Sequence, residues 1–573
     1  MSLTCPSTEV ALKSFFLGPQ AENQPWLMAT VQEMLESWCQ WRRQSFPEDG
    51  RAISEEDRHR EEFEQRQRKT RQLLRELDQR LRHEIPKFSP RYVGHMFSEM
   101  SLPALLGHFL TLLHNPNIIS RESALVAADI ENEAVLELAD MLGCPGAHGH
   151  FTSGGTVANF EAVVRARARL YQWLARAAVG GATAQGYFQA AHAGWPAQVE
   201  IQELGPYLPE EVGPVQSARA LEAAFGKPFP EPVLIVPAGA HYSWKKAARL
   251  LGLGERQLRF VGRDARGHYR SRHLQQLLQQ CQQEDRPVLA VVSVAGTTET
   301  GAIDPVDEVQ DRLDPLGAIW HHVDAAFGGF LCSLLRPDPE APAGGMFPCP
   351  LLPRARKALE SIGRATSITI DPHKLGYVPY ASGTFLAADP RDYHCVKLLA
   401  PYIEYSSSLD RGPFTLEGSR SAAGAVATWL TARSLGLHQG GYGRLLARTV
   451  RQKQKLESHL LNALPDLRVA PGCDSNLLCF CLAKEGEGIS LTNRNTRTYL
   501  DSLHAHGYSL SHTQFPLQPG DFAREWVGQW QAQLDEAELW VVRMTLMNPF
   551  FDSAELNGSH IEQLANLLVK LRS

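Results

Sequence analysis

The chain has few cysteines, little excess charge of either sign and no long hydrophobic run. Its ten cysteines are dispersed over 573 residues, which is too sparse for a disulfide framework, and no Cys-x-x-Cys pair is present to bind zinc. Lys and Arg number 57 against 63 Asp and Glu, so the chain has no basic field with which to hold a nucleic acid. No stretch of about 18 apolar residues predicts a membrane span.

The first residues also lack a basic segment followed by a sustained apolar one, which is the pattern of a secretory leader. Together with the dispersed thiols, this predicts a cytoplasmic protein with reduced cysteines. The hydrophobic share of 43% and the charged share of 21% are ordinary for a globular protein. We therefore expect a small-molecule partner, and neither nucleic acid nor a membrane.

The N-terminal part is rich in helix-forming residues. Glu, Arg, Gln and Leu dominate residues 33–83, and Ser54 with Asp57 three residues later predicts an imperfect capping box. A leucine stripe recurs at helical spacing: Leu73, Leu74, Leu77 and Leu81. Two further helices with apolar periodicity are predicted after this segment, and the second of them ends at Gly143. Residues 1–144 are therefore predicted to form a helical N-terminal arm.

After this arm the pattern changes to short apolar runs separated by helical stretches. Five runs predict buried strands that end in small or polar residues: 233–239, 288–298, 318–329, 367–374 and 383–388. This alternation predicts an α/β fold with a mostly parallel sheet covered on both faces. In such sheets ligands bind at the carboxyl ends of the strands. Residues 145–436 are predicted to form this large domain, and residues 437–573 a smaller α+β domain.

Two segments are predicted to leave the body of these domains. Residues 180–205 are rich in Ala and Gly and predict a surface insertion. Residues 401–414 are polar and rich in turn formers, which predicts a mobile loop. The sequence contains no internal repeat.

A run of small and hydroxyl residues, TSGGT at 152–156, precedes a helix that the pattern starts near Asn159. Glycines let backbone amides approach an anion, hydroxyls add donors, and a helix N-terminus adds partial positive charge. A phosphate cup and a purely structural start of a helix are both compatible with this run. The chain has no Walker-type motif and no well-placed Gly-x-Gly-x-x-Gly, which argues against a nucleotide or dinucleotide site.

Two charged residues end apolar strands. Asp324 follows the strand of WHHVD, where an acid is costly unless it meets a cation or a donor. A metal bound with His322, which shares its strand face, and a purely structural role are the alternatives. Lys374 follows the strand of SITIDPHK, where desolvation makes an amine nucleophilic toward a carbonyl, although a solvated lysine is the usual case. Amine, acid and phosphate cup together are the parts of a pyridoxal phosphate site.

Longer motifs carry a resemblance over residues 89–549, among them GHMFSEMSLPALLGHF, HNPN, DPHKLGYVPY, LEGSR, LSHTQF and TLMNPFF. The sequence resembles the group II pyridoxal phosphate-dependent amino-acid decarboxylases, and within them the bacterial L-tyrosine decarboxylase branch. The resemblance implies pyridoxal 5'-phosphate as cofactor and the PLP-dependent transferase fold type I, which is aspartate aminotransferase-like. It also implies a homodimer whose active sites lie at the subunit interface, with the helical N-terminal arm of residues 1–144 serving in dimerisation.

The resemblance implies how the cofactor ring is held. Lys374 forms the Schiff base, and Asp324 pairs with the pyridine nitrogen. His241 stacks on one face of the ring, and Ala326 packs on the other. His241 is also a candidate for the group that returns a proton to the α-carbon.

The resemblance likewise implies how the polar substituents of the cofactor are held. Gly155 and Thr156 hold the phosphate, with His373 as a further ligand. Thr298 approaches the phenolic oxygen, with Thr297 as the neighbouring alternative. These residues complete the predicted cofactor site.

For the substrate, the resemblance points to three positions that line the pocket: His95, Tyr380 and Ser511. The proton returned after decarboxylation comes from a histidine or a tyrosine. Besides Tyr380, the candidates are Tyr402 and Tyr405, which lie on the loop where the family keeps a proton-donating tyrosine. The resemblance implies no metal ion at this site.

Some residues depart from the family pattern. Asp371 stands where Asn is common, and Phe97 and Ser98 replace the commoner Asn-Trp. The implied reaction is decarboxylation of an L-amino acid to a primary amine, with an aromatic substrate such as tyrosine or DOPA. The alternatives are an acidic substrate, which Arg91 or Arg420 would favour if it faced the pocket, an oxidative reaction that forms an aldehyde, and an inactive scaffold paralogue.

Overall fold

The structure, a computed structural model, describes residues 9–196, 203–341, 347–405, 407–553 and 559–572. The strands in these ranges are β1 (His148–Thr152), β2 (Val233–Pro237), β3 (Leu258–Val261), β4 (Val288–Val294), β5 (His321–Asp324), β6 (Ser367–Ile370), β7 (Gly383–Ala387), β8 (Leu467–Val469), β9 (Leu477–Leu482), β10 (Ser511–Pro516) and β11 (Glu538–Thr545). The helices in the same ranges are α1 (Glu9–Lys13), α2 (Gln24–Ser45), α3 (Glu55–His59), α4 (Glu61–Leu81), α5 (Leu102–His114), α6 (Ala127–Leu142), α7 (Gly155–Val179), α8 (Gly186–Ala191), α9 (Pro209–Val212), α10 (Pro214–Phe225), α11 (Ser243–Leu250), α12 (Ser271–Gln283), α13 (Val306–Leu313), α14 (Pro353–Glu360), α15 (Pro390–His394), α16 (Ala423–Leu435), α17 (Arg444–Ala463), α18 (Ile489–Ala505), α19 (Phe522–Val527) and α20 (His560–Lys570).

Seven strands form one sheet in the order β1-β7-β6-β5-β4-β2-β3. The pairs β2–β3, β2–β4, β4–β5 and β5–β6 are parallel, while β7 runs antiparallel to both β6 and β1. Successive side chains of the apolar strand β4 pack on opposite faces of the sheet. Val292 belongs to an apolar cluster with α7 and α11, whereas Val291 belongs to one with α12 and α13. The predicted α/β class with a mostly parallel sheet is confirmed.

The sequence pattern does not predict β1, because its residues HGHFT include a single large apolar side chain, Phe151. His150 of this strand is nevertheless fully buried, with its Nδ1 at 3.0 Å from the Tyr393 hydroxyl. The chain then turns at Gly154, whose φ is +156°, and α7 begins at Gly155 rather than near Asn159. The small residues therefore form a strand-to-helix turn at the carboxyl end of β1.

Four antiparallel strands form a second sheet in the order β10-β11-β9-β8. One of its faces packs on α17, α18 and α20 through residues such as Phe480, Leu503 and Leu564. The first sheet takes its strands from residues 148–387 and the second from residues 467–545. Each sheet thus lies within one predicted domain, and the domain boundaries themselves remain a prediction.

The long N-terminal helices face solvent within the single chain. The predicted capping box is confirmed, because the Asp57 N–H donates to Ser54 Oγ and the Ser54 N–H donates to Asp57 Oδ2, both at 2.9 Å. Neither α2 nor α4 has a buried residue, and the leucine stripe of α4 is 49–59% exposed. No helix in the described ranges combines the length and the apolar composition of a membrane-spanning segment.

Part of the predicted surface insertion at residues 180–205 belongs to the core. Helix α8 lies within it and buries Tyr187 and Phe188, so the expectation of a surface segment is wrong for this part. The ring of Tyr187 stacks on that of Phe225 at 4.2 Å, which anchors α8 against α10. Residues 197–202 of the insertion, and residue 406 of the predicted loop at 401–414, lie outside the described residues.

Candidate active site

A cavity of about 410 Å³ lies at the carboxyl ends of β4, β5 and β6, next to the start of α7. Small-molecule sites have volumes in this range, and ligands of open α/β sheets bind at this edge. The lining residues are Ser153, Gly154, Gly155, Thr156, Val157, Asn159, His241, Tyr242, Val294, Gly296, Thr298, Asp324, Ala326, Phe327, Asp371, His373, Lys374 and Tyr380. The structure therefore brings together all eight residues predicted to hold a cofactor, and Tyr380 with them.

Lys374 places its amine at the wall of this cavity. A tight turn follows β6, in which the Lys374 N–H donates to the Asp371 carbonyl at 3.0 Å. The Lys374 Nζ also lies 3.0 Å from Asp371 Oδ2. The other oxygen, Asp371 Oδ1, is buried and has no hydrogen-bond partner among the described residues. A buried, unsatisfied acceptor beside an amine is what a site for a polar ligand leaves in the protein alone.

Asp324 presents a buried carboxylate at the end of β5. Only 4% of the residue is exposed, so its oxygens must accept hydrogen bonds from the protein. Asn159 Nδ2 donates to Oδ2 at 2.8 Å, and the Ala326 N–H donates to Oδ1 at 3.3 Å. Because the bond from the Ala326 N–H is the longer of the two, Oδ1 can still accept a hydrogen bond from a ligand in the cavity.

The start of α7 forms a cradle for an anion. This 25-residue helix has no side-chain cap and no acid in its first turn, so its first N–H groups and its dipole are available to a negative group. A Cβ built on Gly155 would lie 2.8 Å from Asp371 Oδ2 and 3.1 Å from Ala326 Cβ, and one on Gly154 would lie 3.2 Å from His373 Cε1. Side chains at these positions would fill the cradle, which explains the two glycines.

Aromatic side chains form much of the cavity wall, among them His241, His373 and Tyr380. His241 accepts a hydrogen bond from the Ser243 N–H at its Nδ1, 3.3 Å away, and burial lowers the pKa of His241, which favours a neutral ring. The rings of His373 and Tyr380 lie 4.3 Å apart. Although 57% of Tyr380 is exposed in the single chain, desolvation of its hydroxyl end, together with the nearby Asp371 carboxylate, raises the pKa of Tyr380 to about 12. The hydroxyl therefore keeps its proton at neutral pH.

The structure also separates the two adjacent threonines of the AGTT motif. Thr298 lines the cavity. Thr297 is buried, with its hydroxyl 3.1 Å from Thr300 Oγ1 and accepting from the Ala302 N–H at 3.1 Å. Of the pair, Thr298 is therefore the one with access to a bound ligand.

Four predicted residues lie outside the cavity lining. The Ser511 hydroxyl donates to the Gly94 carbonyl at 2.8 Å, which places it beside His95 but engages it within the protein. Tyr402 is 83% exposed, and Tyr405 is partly exposed on the same loop. Within the single chain, therefore, His95, Ser511 and the two loop tyrosines do not line the described cavity.

The two arginines considered for an acidic substrate are engaged elsewhere. Arg91 donates to the His506 carbonyl at 3.3 Å and lies over the Tyr508 ring. Arg420 is buried and pairs through both terminal nitrogens with the carboxylate of Glu131. Among the described residues that line the cavity, Lys374 is the only lysine or arginine.

We expect Arg420 to serve stability rather than substrate binding. Arg420→Met would leave the Glu131 carboxylate buried and unpaired, and the free energy of unfolding should fall by about 3–5 kcal/mol, measured by urea denaturation. Arg433→Met is the matched control, because Arg433 forms exposed pairs with Glu133 and Glu137 that contribute about 0–1 kcal/mol. A lost activity with unchanged stability in Arg420→Met would contradict this assignment.

Sequence reasoning missed Asn159, although a signal was present. Asn159 follows Gly155 at a spacing of i to i+4, which places both on one face of α7. The metal alternative that His322 raised gains no support, because no cluster of three or more His, Cys, Asp or Glu in the described ranges is arranged to hold a metal ion. His322 instead contacts Asn159, with its Nε2 3.3 Å from Asn159 Oδ1.

These groups fit a phosphorylated pyridine aldehyde. The amine of Lys374 can bind a carbonyl covalently, and the carboxylate of Asp324 can pair with a ring nitrogen. The cradle before α7 matches a phosphate in charge and in shape. The buried Asp371 Oδ1 that lacks a partner marks the same space as one built for a ligand.

Comparison with known proteins agrees with this fit. The chain matches the pyridoxal-dependent decarboxylase conserved domain over residues 54–182 and 227–483. It is 28% identical to the L-tyrosine decarboxylase of Levilactobacillus brevis, over 96% of this chain and 94% of that protein. It is 26% identical to the acidic amino acid decarboxylase GADL1 of Bos taurus, over 64% of this chain and 58% of that protein.

The fold agrees as well. The structure is similar to that of mouse CSAD in apo form, with a TM-score of 0.64 and 21% sequence identity over 87% of this chain and 88% of that chain. This likeness confirms the predicted fold type I architecture. The chain therefore belongs to the pyridoxal-dependent decarboxylase family and is an amino-acid carboxy-lyase that uses pyridoxal 5'-phosphate.

Proposed function

We propose that the enzyme decarboxylates an aromatic L-amino acid, such as tyrosine or DOPA, to its primary amine. The observation that carries this proposal is the row of aromatic rings that leads out of the cavity, from Tyr380 to Phe97 and Tyr92. Lys374 is the only lysine or arginine in the described cavity lining, and the buried Arg543 beside it already donates to the carbonyls of Thr298 and Gly94. A second carboxylate on an acidic substrate would have to compete with these carbonyls for Arg543 or be desolvated without a cation, and both are costly. An aromatic side chain carries no such penalty.

Aromatic residues also extend outward from the cavity. The Tyr380 ring meets the edge of Phe97 at 6.1 Å, and Phe97 stacks on Tyr92 at 5.4 Å. Aromatic rings pack favourably on one another in such geometries. The near full-length match to an L-tyrosine decarboxylase supports the same substrate class, and the match to an acidic amino acid decarboxylase covers less of both chains.

Within this proposal each part of the cavity has a role. Lys374 binds the cofactor carbonyl, Asp324 pairs with its ring nitrogen, and Gly155, Thr156 and His373 hold its phosphate. His241 and Ala326 enclose the ring, and Thr298 approaches its hydroxyl substituent. When bound, pyridoxal phosphate supplies the electron sink for the bond that breaks.

The chain itself must orient the substrate, exclude water and return a proton. Tyr380 is one proposed donor, because its hydroxyl lines the cavity and stays protonated at neutral pH. Tyr402 and Tyr405 lie outside the cavity of their own chain, so either could donate only after loop movement or to the cavity of a second copy.

The substrate proposal is tested by carbon dioxide release across a panel of amino acids. We expect kcat/KM for tyrosine or DOPA to exceed that for glutamate or aspartate at least about 100-fold, since an unpaired buried charge costs several kcal/mol. A preference for glutamate or aspartate would contradict the aromatic assignment. An aldehyde product would indicate the oxidative alternative. Cofactor binding without turnover of any amino acid in the panel would indicate the inactive scaffold.

We also propose that the enzyme is a homodimer held in part by its N-terminal arm. Helices α2 and α4 have no buried residue within the single chain. Trp26 is 53% exposed, Met28 62% and Leu74 59%. Large apolar side chains clustered on solvent-facing helices are typical of a surface that a second copy covers.

The homodimer has its own test. Leu77→Asp combined with Leu81→Asp places two charges on the leucine stripe of α4, and sedimentation should shift from two chains toward one chain of 63.6 kDa. Arg75→Asp is the control, since Arg75 is exposed on the same helix and its charge change should leave the assembly intact. A wild-type protein that sediments as a monomer would overturn the proposal.

A further inference from the structure

A continuous chain of buried hydrogen bonds runs behind Asp324. Trp320 Nε1 donates to Ser367 Oγ at 2.8 Å, and Ser367 Oγ lies 2.8 Å from His322 Nδ1. His322 Nε2 lies 3.3 Å from Asn159 Oδ1, and Asn159 Nδ2 donates to Asp324 Oδ2 at 2.8 Å. All five residues are buried, so the chain is closed to solvent at every step.

Trp320 determines which group donates in each hydrogen bond of this series. An indole N–H can only donate, so the Ser367 hydroxyl accepts from Trp320. The hydroxyl proton of Ser367 then has no acceptor among the described residues other than His322 Nδ1. A neutral imidazole that accepts at Nδ1 carries its proton at Nε2, and this proton is shared between two acceptors that both lie 3.3 Å away, Asn159 Oδ1 and Thr369 Oγ1.

The same logic fixes the amide of Asn159. Because Oδ1 accepts from His322, Nδ2 points toward Asp324 and also donates to Ser243 Oγ at 3.0 Å. The reverse orientation would set the amide oxygen against a carboxylate oxygen. Burial lowers the pKa of His322 to about 3, so the ring stays neutral at neutral pH.

We propose that Trp320, Ser367, His322 and Asn159 form a one-way relay that positions Asp324 for the ring nitrogen of the cofactor. In this relay the amide of Asn159 donates a hydrogen bond to Asp324 Oδ2 but cannot transfer its proton to the carboxylate. Asp324 Oδ1 then remains to pair with the ring nitrogen in the cavity. These four are positioning residues, since they act through Asp324. The inference rests on the proposed pairing of Asp324 with the ring nitrogen.

The experiment compares two cofactors on the same protein. Holoenzyme is stripped and reloaded either with pyridoxal phosphate or with its 1-deaza analogue, in which a C–H replaces the ring nitrogen, and the dissociation constant of each is measured. Asn159→Ala should weaken pyridoxal phosphate about 10- to 100-fold, the loss expected for a hydrogen bond to a charged group. The same variant should leave the affinity for the analogue unchanged within about twofold. The analogue has no ring nitrogen for Asp324 to pair with, so this small change measures the effects of the variant that do not act through Asp324.

Variants further along the chain test the relay itself. Ser367→Ala removes a neutral link and should weaken pyridoxal phosphate about 2- to 10-fold, while Ser367→Thr, which keeps the hydroxyl, should restore it. Trp320→Phe should behave like Ser367→Ala. The matched control is Ser293→Ala, because Ser293 Oγ lies 2.9 Å from His321 Nε2 in an equally buried pair that does not reach Asp324.

The outcomes separate the relay from simple packing. Equal weakening of both cofactors in the relay variants, or no weakening of either, would overturn the proposal. Asp324→Asn distinguishes the two levels of inference: if it fails to discriminate between the cofactors, the proposed pairing of Asp324 is wrong. If Asp324→Asn discriminates and the relay variants do not, only the relay is wrong.

Discussion

Lys374→Ala should lower decarboxylation at least about a thousandfold, because it removes the amine that binds the cofactor carbonyl covalently, and should abolish the cofactor adduct that borohydride fixes to the protein. The physical reason is that Lys374 carries the only amine among the described residues that line the cavity. Its Nζ lies 3.0 Å from Asp371 Oδ2, which holds the amine at the wall of the cavity. Carbon dioxide release and mass analysis of the reduced protein measure the two effects.

The control for this variant is Lys357→Ala. Lys357 is exposed and pairs with Asp307, and neither residue lines the cavity. Its loss should change neither activity nor adduct formation. Borohydride-fixed cofactor on any lysine other than Lys374 would reject the assignment of Lys374.

The parts of the fold that the sequence predicts are those with strong apolar runs. Strand β4 has the sequence VLAVVSV, and every residue in it is buried. Its apolar composition alone therefore predicts a buried strand. Strand β10 reads SHTQFP and is paired along its whole length with β11, yet its residues resemble a loop. Its pairing depends on a distant partner, and single-sequence patterns carry no information on that partner.

The candidate site was predictable to the extent that it lies at strand ends. Asp324 and Lys374 stand out because a charge at the end of a buried strand needs a reason. The role of Asn159 depends on which groups surround it in space, namely His322 and Asp324. The choice between adjacent threonines of AGTT likewise depends on the path of the loop after β4, which no residue pattern encodes.

Asp324→Asn is the second variant with a large expected effect. Unlike Lys374→Ala, it should lower activity without abolishing the borohydride-fixed adduct. The substitution keeps the shape of the side chain but removes the negative charge that favours a protonated ring nitrogen. Removing one partner of a buried ion pair costs about 3–5 kcal/mol, so we expect kcat/KM to fall about 10²- to 10⁴-fold. The amine of Lys374 and the cradle before α7 remain, so the borohydride-fixed adduct should still form.

A second buried acid provides the control that isolates this charge. Asp392 is paired with Arg169 and lies outside the cavity lining, so Asp392→Asn should lower the free energy of unfolding by about 3–5 kcal/mol and leave kcat/KM nearly unchanged. Asp324→Asn should show the opposite pattern, because its charge serves a ligand and its hydrogen bonds to Asn159 and the Ala326 N–H can be partly kept by an amide. If both variants lose stability and neither loses activity, Asp324 is a structural acid, which is the alternative that its sequence position alone left open.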